Sequence, residues 1–306
     1  MRILSVTFLC LLIFTSQPKA QNMARGVVYS DENKNGQLDS NEDPITGIAV
    51  SNGRDVVLTD NEGEYELPIS DNTILFVIKP SDYDLPVNEL NQPQFFYNHK
   101  PGGSPELEYP GVDPTGPLPE SVNFGLIKRD HTEEFRMLVF GDPQPYTEEE
   151  VDYFDRDIVD ELVGAEGYEF GITLGDIVGN DLHLFEPYSK SVSKIGLPWF
   201  HVYGNHDMNF DAESDEFADE TFEANFGPAT YSFNHGNVHF IVMDNVVYPR
   251  TDGESGYIGG FTEKQHEFIA NDLKHVSKDD LIVFAAHIPL YVPKWRETSD
   301  YFLIDD

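Results

Sequence analysis

The chain has 306 residues, of which 40% are hydrophobic, 55 are acidic and 19 are Lys or Arg, so its formal net charge is −36. This length and apolar content suffice for one large or two ordinary folded domains and exclude a mainly disordered chain. A surface this acidic repels phosphate backbones and anionic lipids, so nucleic acid is not expected as a partner. The charge also fits a simple role in solubility.

The first residues of the chain predict a signal peptide at positions 1–20. Arg2 supplies a positive start, an apolar stretch runs from Ile3 to Phe14, and Ala20 offers a small residue for cleavage. The apolar stretch is too short to span a bilayer. The one cysteine, Cys10, lies in this segment, so the mature chain would contain no disulfide. We expect export to the periplasm or the cell exterior and no transmembrane segment in the mature chain.

The region from residue 21 to residue 130 is predicted to be a small all-β sandwich. Between residues 25 and 78, short segments of alternating apolar and polar residues are separated by turns rich in Asn, Asp and Gly. Residues 80–130 are rich in Pro, Gly and aromatic residues. For them we expect an ordered, irregular strap that completes this domain.

The region from residue 131 to residue 306 follows a different pattern. The apolar runs RMLVF, FGITLG, WFHVYG and LIVFAAH predict buried strands, with helical periodicity between several of them and a hairpin at 230–245. Thr147 and Glu150 form a capping box before a predicted helix. Its apolar face would consist of Val151, Phe154, Ile158 and Leu162. Together these elements predict an α/β layered fold.

A polar cluster follows each of these four buried runs. The clusters are Asp142 and Gln144 in GDPQ, Asp176, Asn180 and Asp181 in GDIVGND, Asn205, His206 and Asp207 in GNHD, and His287 in AAHIP. Because the carboxyl ends of strands gather at one edge of an α/β sheet, we expect these side chains to meet. Each motif alone is most often a turn or a structural His, but their order after four strands favours a joint site. This donor set suits Mn, Fe or Zn, and two such cations can activate water and neutralise a phosphoryl group.

The order of these motifs resembles that of the calcineurin-like metallophosphoesterases, whose signature is Asp-x-His, Gly-Asp, Gly-Asn-His-Asp/Glu, a lone His and Gly-His-x-His. The resemblance implies a four-layer αββα domain that hydrolyses phosphomonoesters or phosphodiesters with two metals and a bridging hydroxide. It implies five metal ligands: Asp142 and Gln144 on the first metal, Asp176 bridging both, and Asn205 and His287 on the second. His206 would face the small-molecule substrate as proton donor to the leaving oxygen or as a charge stabiliser.

Two features depart from the family pattern. Gln144 stands where most of the family has His, so a neutral amide oxygen replaces a nitrogen ligand, and no Gly-His-x-His follows His287. We interpret the phosphoesterase domain as incomplete at its C-terminus. The alternative is a calcium-stabilised surface or binding protein whose phosphoesterase domain is inactive. The flanking segments resemble an exported bacterial branch of the family that carries an N-terminal β-domain.

Residues 31–42, DENKNGQLDSNE, match the twelve-residue calcium loop pattern at every position. The six predicted ligands are Asp31, Asn33, Asn35, the Gln37 carbonyl, Asp39 and Glu42, and Gly36 permits the sharp turn. The loop follows a predicted strand and lacks the usual flanking helices, which resembles the loops in calcium-stabilised B-type repeats of bacterial surface adhesins. The alternative is an Asx-rich loop without metal. The expected role of Ca²⁺ here is to stabilise the fold.

Overall fold

The computed structural model describes residues 22–130, 132–249 and 256–290. The predicted signal peptide lies outside the described residues. In these ranges two four-stranded sheets form the first region, and two three-stranded sheets, a two-stranded ribbon and four α-helices form the second. Within the same ranges, no helix combines the length and the apolarity needed to cross a bilayer.

The first region contains eight strands, which confirms the predicted all-β class. They are β1 (Asn22–Ser30), β2 (Ala49–Ser51), β3 (Val56–Leu58), β4 (Glu64–Ile69), β5 (Thr73–Val77), β6 (Tyr83–Asp84), β7 (Phe96–His99) and β8 (Phe124–Lys128). The sheet orders are β4-β1-β8-β6 and β3-β2-β5-β7. The strap of residues 80–130 is therefore less irregular than expected, since it supplies β6, β7 and β8. Its last strand pairs in parallel with β1, a partner that lies almost 100 residues away and that local pattern does not reveal.

The second region alternates strands and helices, as predicted for an α/β domain. Its strands are β9 (Met137–Phe140), β10 (Phe170–Leu174), β11 (Trp199–Val202), β12 (Tyr231–His235), β13 (Val238–Met243), β14 (Val246–Val247), β15 (Ile258–Gly259) and β16 (Leu281–Ala286). Its helices are α1 (Glu148–Phe154), α2 (Phe185–Ser193), α3 (Glu220–Phe226) and α4 (Glu263–Asp272).

The four predicted buried strands all form, but they do not lie in one sheet. Strands β9, β10 and β11 form one parallel sheet, whereas β16 pairs in parallel with β13 in the other. The expectation that a single sheet edge gathers all four motifs is therefore wrong. The two sheets pack face to face instead, as the stacked rings of Phe200 and Phe233 show, and the Nδ1 atom of His287, just after β16, lies 2.9 Å from the carbonyl oxygen of Leu174 at the end of β10.

Three of the four residues predicted for the apolar face of the first helix, Val151, Phe154 and Leu162, pack against the core, but the helix is not regular beyond Phe154. The chain continues there as one π-helical turn, Asp155–Val159. A π turn inserts about one residue relative to α-helical spacing. As a result Val159 is buried, whereas Ile158 is 46% exposed.

The two regions share one hydrophobic core and are joined by a buried ion pair. Phe76 of β5 packs edge to face against Phe268 of α4, with ring centroids 5.8 Å apart. The Nζ atom of Lys100, which follows β7, lies 2.5 Å from Glu220 and 2.6 Å from Glu223, both in α3. The first region therefore packs directly against the domain that carries the strand-end motifs.

Candidate metal centre

Asp142, Asp176 and His287 offer ligand atoms that all lie within 4.8 Å of one another, and among the described residues no other group of three acidic, His or Cys side chains does so. The Nε2 atom of His287 lies 3.2 Å from Asp176 Oδ1 and 3.1 Å from Asn205 Oδ1. Neighbouring ligands on one metal with bonds of about 2.1 Å are about 3.0 to 3.4 Å apart. The donors present therefore fit a divalent cation.

The orientation of His287 suits a ligand that binds through Nε2. Its Nδ1 atom donates to the Leu174 carbonyl oxygen at 2.9 Å, a bond that keeps Nε2 facing Asp176. Burial alone would lower the pKa of His287, but the hydrogen bond and charge of Asp176, with Leu174 and Asp142, raise it to about 9. A cation at this position must therefore displace the proton from Nε2.

Asp142 and Gln144 approach the site differently. The side chain of Asp142 is 60% exposed, and its Oδ1 lies 3.6 Å from His287 Nδ1. Gln144 meets the site through its backbone N–H, which donates to the Asp176 carbonyl oxygen at 3.0 Å. Six non-glycine residues in the described ranges have positive φ, and four of them lie in these loops: Asp142, Gln144, Asp176 and Asn180. Such backbone costs about 1 to 3 kcal/mol per residue and clusters at functional sites.

The glycines of the GD and GN motifs let these loops approach one another. A Cβ on Gly175 would lie 2.6 Å from the Nδ1 atom of His287, and one on Gly204 would lie 2.1 Å from the backbone nitrogen of Asp176. Cβ atoms essentially never come within 3.0 Å of another heavy atom. A larger residue at either position would therefore separate Asp176 from Asn205 or His287.

Asp207, which belongs to the GNHD cluster but was not predicted as a ligand, ties two of these loops together. Its side chain is fully buried; Oδ1 accepts the Val178 N–H at 3.2 Å and Oδ2 accepts the Gly204 N–H at 2.9 Å. Burial, followed by the charge of Asp176, raises the pKa of Asp207 to about 8 against the effect of the backbone donors. The loop after β10 is thereby fixed to the loop after β11.

His206 lies beside the ligand atoms and is held by Asn180. Its backbone N–H donates to Asp176 Oδ1 at 2.9 Å, and its Nδ1 lies 2.6 Å from Asn180 Oδ1. An amide oxygen only accepts, so Nδ1 carries a proton and Nε2, 3.9 Å from Asp176 Oδ2, is available for proton exchange. The sequence predicted Asn180 near the site but not its bond to His206. The only feature that pointed to this role was a polar residue four positions after Asp176.

The predicted calcium loop folds around Asp31, which is 1% exposed. Its Oδ1 accepts the Asn35 N–H at 3.1 Å and its Oδ2 accepts the Gly36 N–H at 2.9 Å. Gly36 has a φ of +70°, the left-handed conformation that the pattern requires at this position. The backbone is thus wrapped around the first carboxylate of the loop.

The remaining polar side chains of this loop bond to one another. The amides of Asn33 and Asn35 both donate to Asp39 Oδ2, at 2.8 and 2.9 Å, and the Gln37 N–H donates to Asn35 Oδ1 at 2.8 Å. Glu42 accepts the Asp39 N–H at 3.0 Å. Burial and then the charges of three loop carboxylates raise the pKa of nearby Tyr29 to about 12. The carboxylates converge, although they do not form a group within 4.8 Å.

Comparison with known proteins identifies the family. The family model for calcineurin-like phosphoesterase matches residues 135–305, which is more than half of the chain, and that for the N-terminal part of calcineurin-like phosphoesterase matches residues 32–109. The chain therefore belongs to the calcineurin-like phosphoesterases, a class of metal-dependent phosphoesterases, which confirms the resemblance in its motifs.

Solved structures also match, among them a purple acid phosphatase from yellow lupin (Lupinus luteus) seeds. It is 14% identical, with a TM-score of 0.39, and the match covers 84% of this chain and 49% of that one. The chain thus spans about half the length of that enzyme. No curated protein matches the chain significantly.

Proposed function

We propose that this chain hydrolyses phosphate esters at a centre of two divalent metals, Mn, Fe or Zn. The metals would be held by five residues: Asp142, Gln144, Asp176, Asn205 and His287. The observation that carries the proposal is the approach of Asp176 and Asn205 oxygens to within 3.2 Å of His287 Nε2. When bound, the metals would supply Lewis-acid activation of water and neutralise phosphoryl charge.

Asp176 and His206 have complementary positions in this proposal. Asp176 offers ligand atoms within 4.8 Å of those of Asp142, assigned to the first metal, and of His287, assigned to the second, which supports its assignment as the bridging ligand. When both ring nitrogens carry a proton, His206 would donate the Nε2 proton to the leaving oxygen while Asn180 accepts from Nδ1. Proton donation lowers the energy of the departing alkoxide, which is otherwise a poor leaving group.

The first test combines elemental analysis of the 306-residue chain with hydrolysis of p-nitrophenyl phosphate and bis(p-nitrophenyl) phosphate in Mn²⁺. We expect bound transition metal and turnover of at least one ester, with both reduced in His287→Gln. Calcium alone without turnover would contradict the proposal and favour the alternative of a calcium-stabilised binding protein.

We also infer that residues 31–42 bind Ca²⁺ and that the ion stabilises the first region. The convergence of Asp31, Asp39 and Glu42 on one loop supports this inference, because a cation offsets their mutual repulsion. At a Ca²⁺ concentration 100 times Kd, the gain is about 2.7 kcal/mol, or roughly 5 °C in Tm. EGTA should abolish that shift, and Glu42→Gln should lack it. An identical Tm with and without Ca²⁺ would refute the inference.

We also propose that the protein is exported and that it has two domains. The apolar stretch of residues 3–14 supports a signal peptide over residues 1–20, followed by domains at 21–130 and 131–306. N-terminal sequencing of the protein produced in a bacterial host tests the first point: we expect a mature chain that begins near residue 21. An intact Met1 in an exported protein would contradict it.

A further inference from the structure

A half-exposed aromatic ring lies directly beside His206. Tyr146 meets the imidazole edge to face, with ring centroids 6.2 Å apart and an interplanar angle of 77°. Half of its surface, 50%, is exposed. If His206 donates a proton to the leaving oxygen, the group attached to that oxygen must pass close to this ring.

The ring of Tyr146 is held in place from behind. A Cβ on Gly179 would lie 2.6 Å from its ring atoms, so the ring rests directly on the Gly179 backbone. The Gly179 N–H donates to the Pro145 carbonyl oxygen at 2.9 Å, and the Tyr146 N–H donates to Glu150 Oε2 at 2.6 Å. Because the ring is ordered before a ligand arrives, little conformational entropy is lost when a ligand contacts its exposed surface.

One carboxylate is bonded directly to this residue, since Glu150 Oε2 accepts the Tyr146 N–H. A carboxylate beside the ring repels a second phosphate and tolerates an uncharged group. An aromatic face binds a planar ring by stacking.

We propose that Tyr146 is a platform for the leaving group and that the substrates are phosphate esters of uncharged alcohols carrying a planar ring. This inference rests on the proposed function. In the reaction a water oxygen forms the new bond to phosphorus and loses a proton to solvent, while the P–O bond to the alcohol breaks. The Nε2 proton of His206 passes to the alcohol oxygen, and the ring of the alcohol lies against Tyr146.

Binding of non-hydrolysable phosphonates tests the platform without requiring turnover. Benzylphosphonate carries a planar ring, and cyclohexylmethylphosphonate has a ring of similar size that is not planar. Calorimetry on the full chain with Mn²⁺ should show that benzylphosphonate binds roughly threefold to tenfold more tightly. Tyr146→Phe should keep this preference, whereas Tyr146→Leu should remove it.

Tyr153 provides the matched control, since it is also exposed, at 43%, but contacts Glu149 and Arg156 instead of His206. Tyr153→Leu should leave the benzyl preference unchanged. Two results would contradict the proposed role of Tyr146. One is equal affinity of the unmodified protein for the two phosphonates, and the other is an equal loss of affinity for both in Tyr146→Leu.

Kinetics separate this inference from the function on which it rests. With turnover, the ratio of kcat/KM for phenyl phosphate to that for methyl phosphate should fall roughly threefold to tenfold in Tyr146→Leu. A pyrophosphate kcat/KM above that of phenyl phosphate would overturn the substrate class. If no ester is hydrolysed but Tyr146→Leu still removes the preference for benzylphosphonate, the proposed function is wrong and the role of Tyr146 in binding remains.

Discussion

The calcium-type loop takes its candidate ligands from twelve successive residues, 31–42, whereas the metal centre takes its candidate ligands from four loops between Asp142 and His287. In the loop, most of the hydrogen bonds that orient the carboxylates come from the loop's own backbone and amides. In the metal centre, contacts between distant residues orient the candidate ligands, as Leu174 does for His287 and the His206 N–H does for Asp176.

The two sites should therefore respond differently to mutation. A contiguous loop keeps its ligand order through local turns, so a change elsewhere in the fold should leave it intact. An assembled centre depends on close packing between loops, so one carboxylate or one glycine affects several ligands at once. Changes in the metal centre should therefore cost more activity and stability than changes in the calcium-type loop.

Asp176→Asn should have the largest effect, because this carboxylate contacts both His287 and the backbone of His206. We expect loss of both transition metals and a fall in kcat of roughly 100-fold or more. Elemental analysis together with ester hydrolysis measures both quantities. Calcium content should not change, since the loop shares no residue with the centre. Retention of two transition metals would disprove the bridging assignment.

Metal-free protein should lose stability as pH rises, because of His287. Its pKa is about 9 in the fold and about 6.5 in the unfolded chain. Protonated His287 therefore adds up to about 3 kcal/mol to the free energy of unfolding. This contribution is complete below pH 6.5 and is lost as pH rises through 9. Unfolding in urea with EDTA, at pH 6 and pH 10, should show this loss in the unmodified chain and not in His287→Gln. The same change in the free energy of unfolding with pH in both proteins would contradict this role of His287.

Asn180→Gly should lower kcat roughly tenfold while leaving metal content unchanged. Glycine accepts the positive φ of 75° at this position, so the variant removes the hydrogen bond to His206 without straining the backbone. Asn180→Asp, which still accepts from Nδ1, should retain activity. An unchanged kcat in Asn180→Gly would show that His206 needs no such support.

Gly36→Ala should have the smallest effect, confined to the calcium-type loop. A Cβ at this position meets no atom within 4 Å, but φ is +70°, so the expected cost is about 1 kcal/mol of stability. Urea unfolding measures that loss, and kcat for ester hydrolysis should be unchanged. A large loss of activity would mean that the loop and the metal centre are coupled.

Local patterns predicted much of the fold and much of the candidate site. The early strands of the first region and the four buried strands of the second form where alternation and apolar runs placed them. The strap strands β7 and β8 were missed because their pairing partners are distant. The burial of Val159 instead of Ile158 was missed because a π turn shifts the helical register.

Residue type and short spacing were enough to indicate the family, the order of the motifs and the candidate calcium ligands of residues 31–42. The packing of the whole chain was needed to show that two sheets meet at the centre, that Asp207 fixes two loops and that Asn180 holds His206. The reason is that these contacts join residues far apart along the chain. Hydrogen bonds between residues such as Leu174 and His287 arise from packing of whole sheets, which no local periodicity encodes.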